Sequence, residues 1–394
     1  MPSTENGKRT RRAWRRKLAA LALGCAAAFV ALEFLVRLYP PFELRIRGSH
    51  LRLAVHCRRL VRNDSIAKLD REIEFATNSL GFRGPDPPDD FALRPTIVAV
   101  GGSTTECRYL DETKTWPARL NEKLKLDFPD VWLNNAGLDG HSTRGHQVLL
   151  EQLVGPLKPK LVLYMVGLND MGLASATADD QQLLRQGREG DSWADRVYLE
   201  LVNRSAVFAL ADNLRRHLAA RRAGLTHGSV DHAQLRLDAA SGGKMGDEER
   251  KVLVGRHRRQ FLPGYETRLR KLLLATLAVG SEPVLITQSA LYGDAIDEET
   301  GLDLGRVKVG DVDGLAQWQV LESYNDVTRR IGRELGVLVI DIARRLPKNS
   351  RYYYDYHHFT NAGAEAVAEV VAEELRGKLE EIERRSIARD GKGG

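Results

Sequence analysis

The chain has 394 residues, 43% hydrophobic and 28% charged, which is enough for one large globular domain or two small ones. The formal charge is +6, but much of the excess lies at the extreme N-terminus, which argues for membrane orientation and against nucleic-acid binding. There is no zinc-type cysteine spacing, no Gly-x-x-x-x-Gly-Lys-Ser/Thr phosphate loop and no Gly-x-Gly-x-x-Gly fingerprint, so the sequence gives no ground for a metal or an organic cofactor.

Lys8 to Lys17 is strongly basic, and Leu18 to Leu32 is an unbroken run of apolar and small residues. Glu33 interrupts, Phe34-Leu35-Val36 continues, and Arg37, Leu38 and Tyr39 close before Pro40-Pro41. A span needs about 20 apolar residues, which this run reaches with Glu33 near the far interface. The positive-inside rule puts residues 1–17 in the cytoplasm, a single transmembrane anchor over 18–39, and the remainder in the periplasm or outside the cell. A cleaved signal peptide, or a lipoprotein-like site at Leu23-Gly24-Cys25, would also deliver the chain across the membrane.

Residues 40–94 read as a membrane-proximal stem, made basic by Arg45, Arg47, Arg52, Arg58, Arg59 and Arg62. Asn78 to Pro85 is turn-rich, and Pro85 to Asp90 is a connector. Cys57 and Cys107 form a candidate disulfide if both face an oxidising compartment.

From Thr96 the patterns of strand and helix alternate, as they do in a parallel sheet covered by helices on both faces. Thr96 to Val100 is the first strand; Gly101-Gly102 end it and Ser103 follows. A serine at that turn either caps the next helix or stands at the carboxyl edge of the sheet, where α/β folds bind ligands. Further strands are expected at Val131–Asn135, Leu161–Val166, Glu282–Thr287 and Gly336–Asp341. Helices are expected at Trp116–Leu126, His146–Val154, Tyr265–Leu277, Tyr324–Leu335 and Ala364–Leu379. Residues 175–260 read as an insertion, helical around Ala206–Leu214, lying over the carboxyl edge of the sheet. Its histidines, His217, His227, His232 and His257, lack metal-ligand spacing and are expected to be solvated. Residues 380–394 read as a disordered tail.

Asp355 and His358 lie three apart on a loop before the last helix, close enough in a turn for the carboxylate to fix the imidazole tautomer. Gly167-Leu168-Asn169-Asp170 follows a core strand, where Asn and Asp serve as turn residues or point an amide into a cleft. His357 is the nearest rival to His358.

Four stretches in this order resemble the SGNH hydrolases, also called the GDSL esterase/lipase family. Gly101-Gly102-Ser103-Thr104 is similar to the first family motif, with Gly102 in place of the usual Asp. Asn135 to Gly140 is similar to the second, Gly167 to Asp170 to the third, and Asp355 to His358 to the last. The resemblance implies a flavodoxin-like three-layer α/β/α sandwich with a central parallel sheet over residues 95–379. It also implies a catalytic Ser103, His358 and Asp355, and an oxyanion hole from Ser103, Gly140 and Asn169. Three activities suit it: an acyl esterase, possibly removing O-acetyl groups from an envelope glycan or lipid; an acyltransferase with the same site; or a binding module that kept the fold. The expected partners are an acyl-ester substrate and the membrane, with no nucleic acid.

Overall fold

The structure, a computed structural model, describes residues 4–39, 46–47, 50–173, 193–222 and 245–390. It divides into two compact units, one of Met1–Arg52 with Arg185–Gly224 and one of Leu53–Leu184 with Leu225–Gly394.

The larger unit is built on a parallel sheet. Its strands are β3 (Thr96–Gly101), β4 (Trp132–Asn135), β5 (Leu161–Met165), β6 (Glu282–Ile286) and β7 (Val339–Ile340). An outlying antiparallel hairpin, β1 (Arg58–Arg62) and β2 (Glu72–Ala76), precedes them. The sheet order is β4-β3-β5-β6-β7 and all its neighbours are parallel, which is the expected flavodoxin-like winding. β3 is an interior strand, paired with β4 and β5, and Thr96 to Gly101 are all buried, as continuous apolar runs in doubly covered sheets must be.

The two sets of alternating side chains point to opposite layers. Ile97, Ala99, Leu163 and Met165 pack with Trp116, Leu120 and Leu124 of α3 (Trp116–Leu124) and with Val367, Val371 and Leu375 of α10 (Asn361–Asp390). On the other face, the Tyr164 hydroxyl meets Thr276 Oγ1 of α8 (Leu262–Ala278) at 2.7 Å. α4 (Thr143–Leu149) and α9 (Gly314–Leu335) pack against α8.

Helix boundaries move from the expected ones where side-chain caps intervene. Ser142 Oγ accepts the Arg144 N–H at 3.2 Å, so α4 starts before His146. Asp313 Oδ1 accepts the Ala316 N–H at 2.7 Å, so α9 starts ten residues ahead of Tyr324. α10 continues beyond Leu379 to Asp390, so the tail expected to be disordered is helical to that residue. Arg385 bonds Glu282 there at 2.7 Å.

Three regions take definite form in the structure. Residues 53–94 belong to the larger unit, not to a separate stem, because Asn78, Arg83 and Pro85 are bonded into β4. Cys57 and Cys107 are both free thiols; Cys107 is buried and its Sγ donates to the Thr104 carbonyl at 3.3 Å. The insertion is not one body. Its helices α5 (Trp193–Arg204) and α6 (Ala206–Arg222) group with the N-terminal helix α1 (Thr4–Leu38), whereas α7 (Asp247–Gln260) belongs with the sheet. His257 on α7 is half-buried, with Nδ1 3.2 Å from the Tyr324 hydroxyl, and burial lowers its pKa; it is not a solvated residue. His227 and His232 lie outside the described residues.

Gly137 lies where the loop after β4 crosses the turn after β3. A Cβ there would stand 2.3 Å from Glu106 N and 2.7 Å from Thr105 C, both backbone atoms that cannot swing away. Gly137→Ala is expected to cost at least about 2 kcal/mol through overpacking, lowering the thermal midpoint measured by circular dichroism by several degrees.

Candidate active site

The chain after β3 makes a very short helix, α2 (Ser103–Glu106), which ends at Cys107 in the left-handed region with φ 50°. Three neighbours hold its backbone in place. Trp116 Nε1 donates to the Thr104 carbonyl at 3.2 Å. Asn135 Nδ2 donates to the Thr105 carbonyl at 2.7 Å. Arg83 donates to the carbonyls of Glu106 and Cys107, each at 2.8 Å, and of Leu110 at 3.0 Å, and pairs with Glu112 at 2.8 Å. The Glu106 carbonyl is one that a helix end leaves without an intrahelical partner. Arg83 is 4% exposed, so its fork of donors is spent almost wholly inside the protein.

The loop after β4 is tied to the same turn. Ala136 N–H donates to the Ala99 carbonyl at 2.8 Å and Leu138 N–H to the Gly101 carbonyl at 3.0 Å. Asp139 N–H donates to Glu106 Oε2 at 2.8 Å. Gly140 follows with φ 75°, a conformation that favours glycine. After β5, Gly167 turns the chain with φ 114°, and Asn169 Nδ2 donates to the His141 carbonyl at 2.9 Å. The neighbouring Asp170 is buried and serves the scaffold, accepting from Thr143 Oγ1 at 2.6 Å and from Arg268 at 2.9 Å.

Gly102 sits between these loops. A Cβ at that position would stand 2.3 Å from Asn169 Nδ2, so the Asn169 amide occupies the space a side chain would need. The glycine that replaces the usual Asp of the family motif therefore has a local steric reason.

Asp355 and His358 complete the arrangement. Asp355 Oδ1 accepts the backbone N–H groups of His357 and His358, both at 2.8 Å, which closes the turn that the three-residue spacing requires. Its Oδ2 lies 2.6 Å from His358 Nδ1, and His358 Nε2 lies 2.8 Å from Ser103 Oγ. The network places a proton on Nδ1, which donates it as a hydrogen bond to the Asp355 carboxylate, leaving Nε2 to accept from the serine hydroxyl. His357 turns elsewhere, with Nε2 3.1 Å from the Tyr292 hydroxyl. Tyr354 stacks on His358 at 5.5 Å between ring centroids and 11° between planes, which fixes the imidazole's tilt.

Burial opposes a charge on His358, but the Asp355 carboxylate and its hydrogen bond, helped by Asp139 and Glu106, outweigh it and hold the pKa above the ordinary histidine value of 6.5. Asp355 is 5% exposed and the His358 side chain 23%, so the carboxylate is shielded while the imidazole is open to an incoming molecule.

Residues 99–366 match the GDSL-like lipase/acylhydrolase family over more than half of the chain. The chain belongs to that family. Over 93 residues it is 32% identical to Esterase TesA of Pseudomonas aeruginosa; the match covers 24% of this chain and 46% of that protein, so it spans under half the relative's length. Among solved structures, the acetyl xylan esterase AlAXEase aligns at 12% identity with a TM-score of 0.39, covering 71% of this chain and 99% of that one. Axe2, an acetylxylan esterase from Geobacillus stearothermophilus, aligns at 16% identity with a TM-score of 0.38, covering 72% and 94%.

The residues singled out in the sequence, Ser103, Gly140, Asn169, Asp355 and His358, all lie on loops at the carboxyl ends of β3, β4 and β5 or on the turn before α10. Arg83 and Glu106 escaped the sequence reading. A single Arg in a turn and a single Glu in a helix carry no local signature; only their partners, far away in the chain, reveal them. Arg83→Lys keeps the charge but loses the fork that reaches three carbonyls and a carboxylate. It is expected to destabilise the protein by about 2–4 kcal/mol, read as a lower urea midpoint at unchanged m-value.

Proposed function

We propose that the chain is a serine-dependent carboxylic ester hydrolase in which Ser103, His358 and Asp355 carry the chemistry. The observation that supports this is the continuous hydrogen-bond chain from Ser103 Oγ through His358 to Asp355, at 2.8 and 2.6 Å. Ser103 Oγ attacks the ester carbonyl carbon while His358 Nε2 takes its proton, and Asp355 stabilises the resulting imidazolium. The oxyanion accepts hydrogen bonds from the Ser103 and Gly140 backbone N–H groups and the Asn169 side-chain amide. Collapse expels the alcohol, which takes the proton back from His358, and leaves an acyl-serine. Water, deprotonated by His358, then attacks the acyl carbon, releases the acid and restores Ser103.

The substrate we favour is an O-acyl, notably O-acetyl, ester on an envelope glycan or lipid. Support comes from the partly accessible imidazole and from the N-terminal helix: Trp14–Leu38 is long and apolar enough to cross a membrane, with mean hydropathy 2.2, and the basic residues precede it. In this reading residues 1–17 stay in the cytoplasm and the hydrolase unit faces the periplasm or the exterior. A sugar hydroxyl replacing water in the second step would make the same site an acyltransferase. Product analysis with and without a glycan acceptor separates the two.

Ser103→Ala is expected to abolish hydrolysis of p-nitrophenyl acetate and labelling by a fluorophosphonate probe; full activity in that variant overturns the proposal. Gly102→Ala is expected to push the Asn169 amide from its position and lower kcat by up to about a hundredfold, with less effect on KM. Because His358 must be neutral to act as a base, kcat/KM should fall as pH drops through a midpoint above 6.5. Asp355→Asn removes the charge that holds this pKa up, so the midpoint should shift to lower pH while kcat drops by about three to four orders of magnitude.

A further inference from the structure

Glu33 lies inside the apolar stretch Trp14–Leu38, where a carboxylate without partners would be costly. It has four. Glu33 Oε1 accepts from Arg37 Nε and from the Ala206 N–H, both at 2.8 Å. Glu33 Oε2 accepts from Ser205 Oγ at 2.7 Å and from the Val207 N–H at 3.1 Å. Ala206 and Val207 open α6, so a carboxylate from α1 satisfies the N–H groups that this helix start leaves exposed. Arg37 Nη2 donates in turn to the Arg204 carbonyl at 2.9 Å, which ends α5. The Phe29 and Phe208 rings pack at 6.0 Å. Tyr198 of α5 donates to Asp212 Oδ1 of α6 at 2.6 Å, which closes the two helices into a hairpin.

The corner of the hairpin is thereby seated on α1 at the depth of Glu33, about 7–8 Å before the helix end at Leu38 on the rise of an α-helix. That is the depth at which interfacial amphipathic helices bury their apolar faces. The hairpin carries such a face. Trp193, Val197 and Leu201, at i, i+4 and i+8 on α5, are 79%, 40% and 41% exposed, and Leu214 and Leu218 of α6 are 47% and 46% exposed. The exposed Glu200–Arg204 ion pair, at 2.5 Å, flanks the α5 stripe. On α1, Phe34 and Leu38 are likewise exposed, at 66% and 60%.

We infer that α5 and α6 form an interfacial hairpin that docks on the lipid bilayer beside α1, with Trp193, Val197 and Leu201 in the boundary between headgroups and acyl chains and Glu33 as the latch. This rests on the reading of α1 as a membrane span.

The test uses the full-length chain with Cys25 and Cys57 changed to Ser, reconstituted in vesicles of phosphatidylethanolamine and phosphatidylglycerol. Single cysteines introduced as Leu21→Cys, Val197→Cys, Leu201→Cys and Val252→Cys carry a bimane label. Val252 on α7, 67% exposed, is the aqueous reference. Nitroxide lipids should quench the labels at 197 and 201 several-fold more than the label at 252, most strongly with a shallow nitroxide, while the label at 21 responds most to a deep one. In a Glu33→Ala background the quenching at 197 and 201 should fall toward the level at 252, with that at 21 unchanged. Labels at 197 and 201 that behave like 252 while 21 is quenched overturn the docking inference and leave the span intact. Quenching at 201 that Glu33→Ala does not alter overturns the latch. A label at 21 that is not quenched overturns the span itself, and the inference with it.

Discussion

The 2.8 Å contact between His358 Nε2 and Ser103 Oγ joins residues 255 positions apart and is the constraint that the catalytic unit must satisfy. Neither side chain can be placed from its own segment. Ser103 is fixed by β3, a fully buried strand, and by a turn whose carbonyls are gripped from outside. His358 is fixed by an aspartate that closes its own loop with one oxygen and orients the ring with the other. A shift of about 1 Å in either support would break the contact, and enzymes of this chemistry lose rate steeply on that scale.

The parallel sheet makes the contact possible because it brings several loops to one edge. β3, β4 and β5 lie side by side with all carboxyl ends together, so their following loops are neighbours although they are distant in sequence. Bonds with a backbone atom at one end or both then lock the loops to each other: Leu138 N–H to the Gly101 carbonyl, Asp139 N–H to the Glu106 carboxylate, and the Asn169 amide to the His141 carbonyl. Most of these bonds end on backbone atoms, so they fix position without depending on flexible side chains at both ends. Arg83 plays a comparable part from beneath. Its buried guanidinium binds the carbonyls of Glu106, Cys107 and Leu110, so a segment before the sheet holds the turn that carries Ser103 in shape.

The smaller unit follows a different logic. A carboxylate in an apolar helix is stable only if it is paired, and Glu33 finds its partners at the start of another helix. The family to which the chain belongs is matched over residues 99–366, a range that includes this hairpin but not the N-terminal helix it packs on. The hairpin is therefore placed within the sequence matched to the family yet packs in the unit of the N-terminal helix.

Sequence alone determined the alternation of strands and helices from Thr96 onward and the apolar N-terminal helix, because each is marked by local signals: buried runs, glycine turns and long apolar stretches. It also singled out His358 over its neighbour, since an aspartate three residues before can fold back in a tight turn, and the structure brings that imidazole to Asp355 and Ser103. Tertiary structure alone decided the roles of Arg83 and Glu106, the free state of Cys57 and Cys107, and the split of the insertion between two units. The length of the last helix was decided in the same way. These depend on partners that lie far along the chain, and a hydrogen-bond donor or a half-apolar helix carries no mark in the sequence of which distant surface will satisfy it.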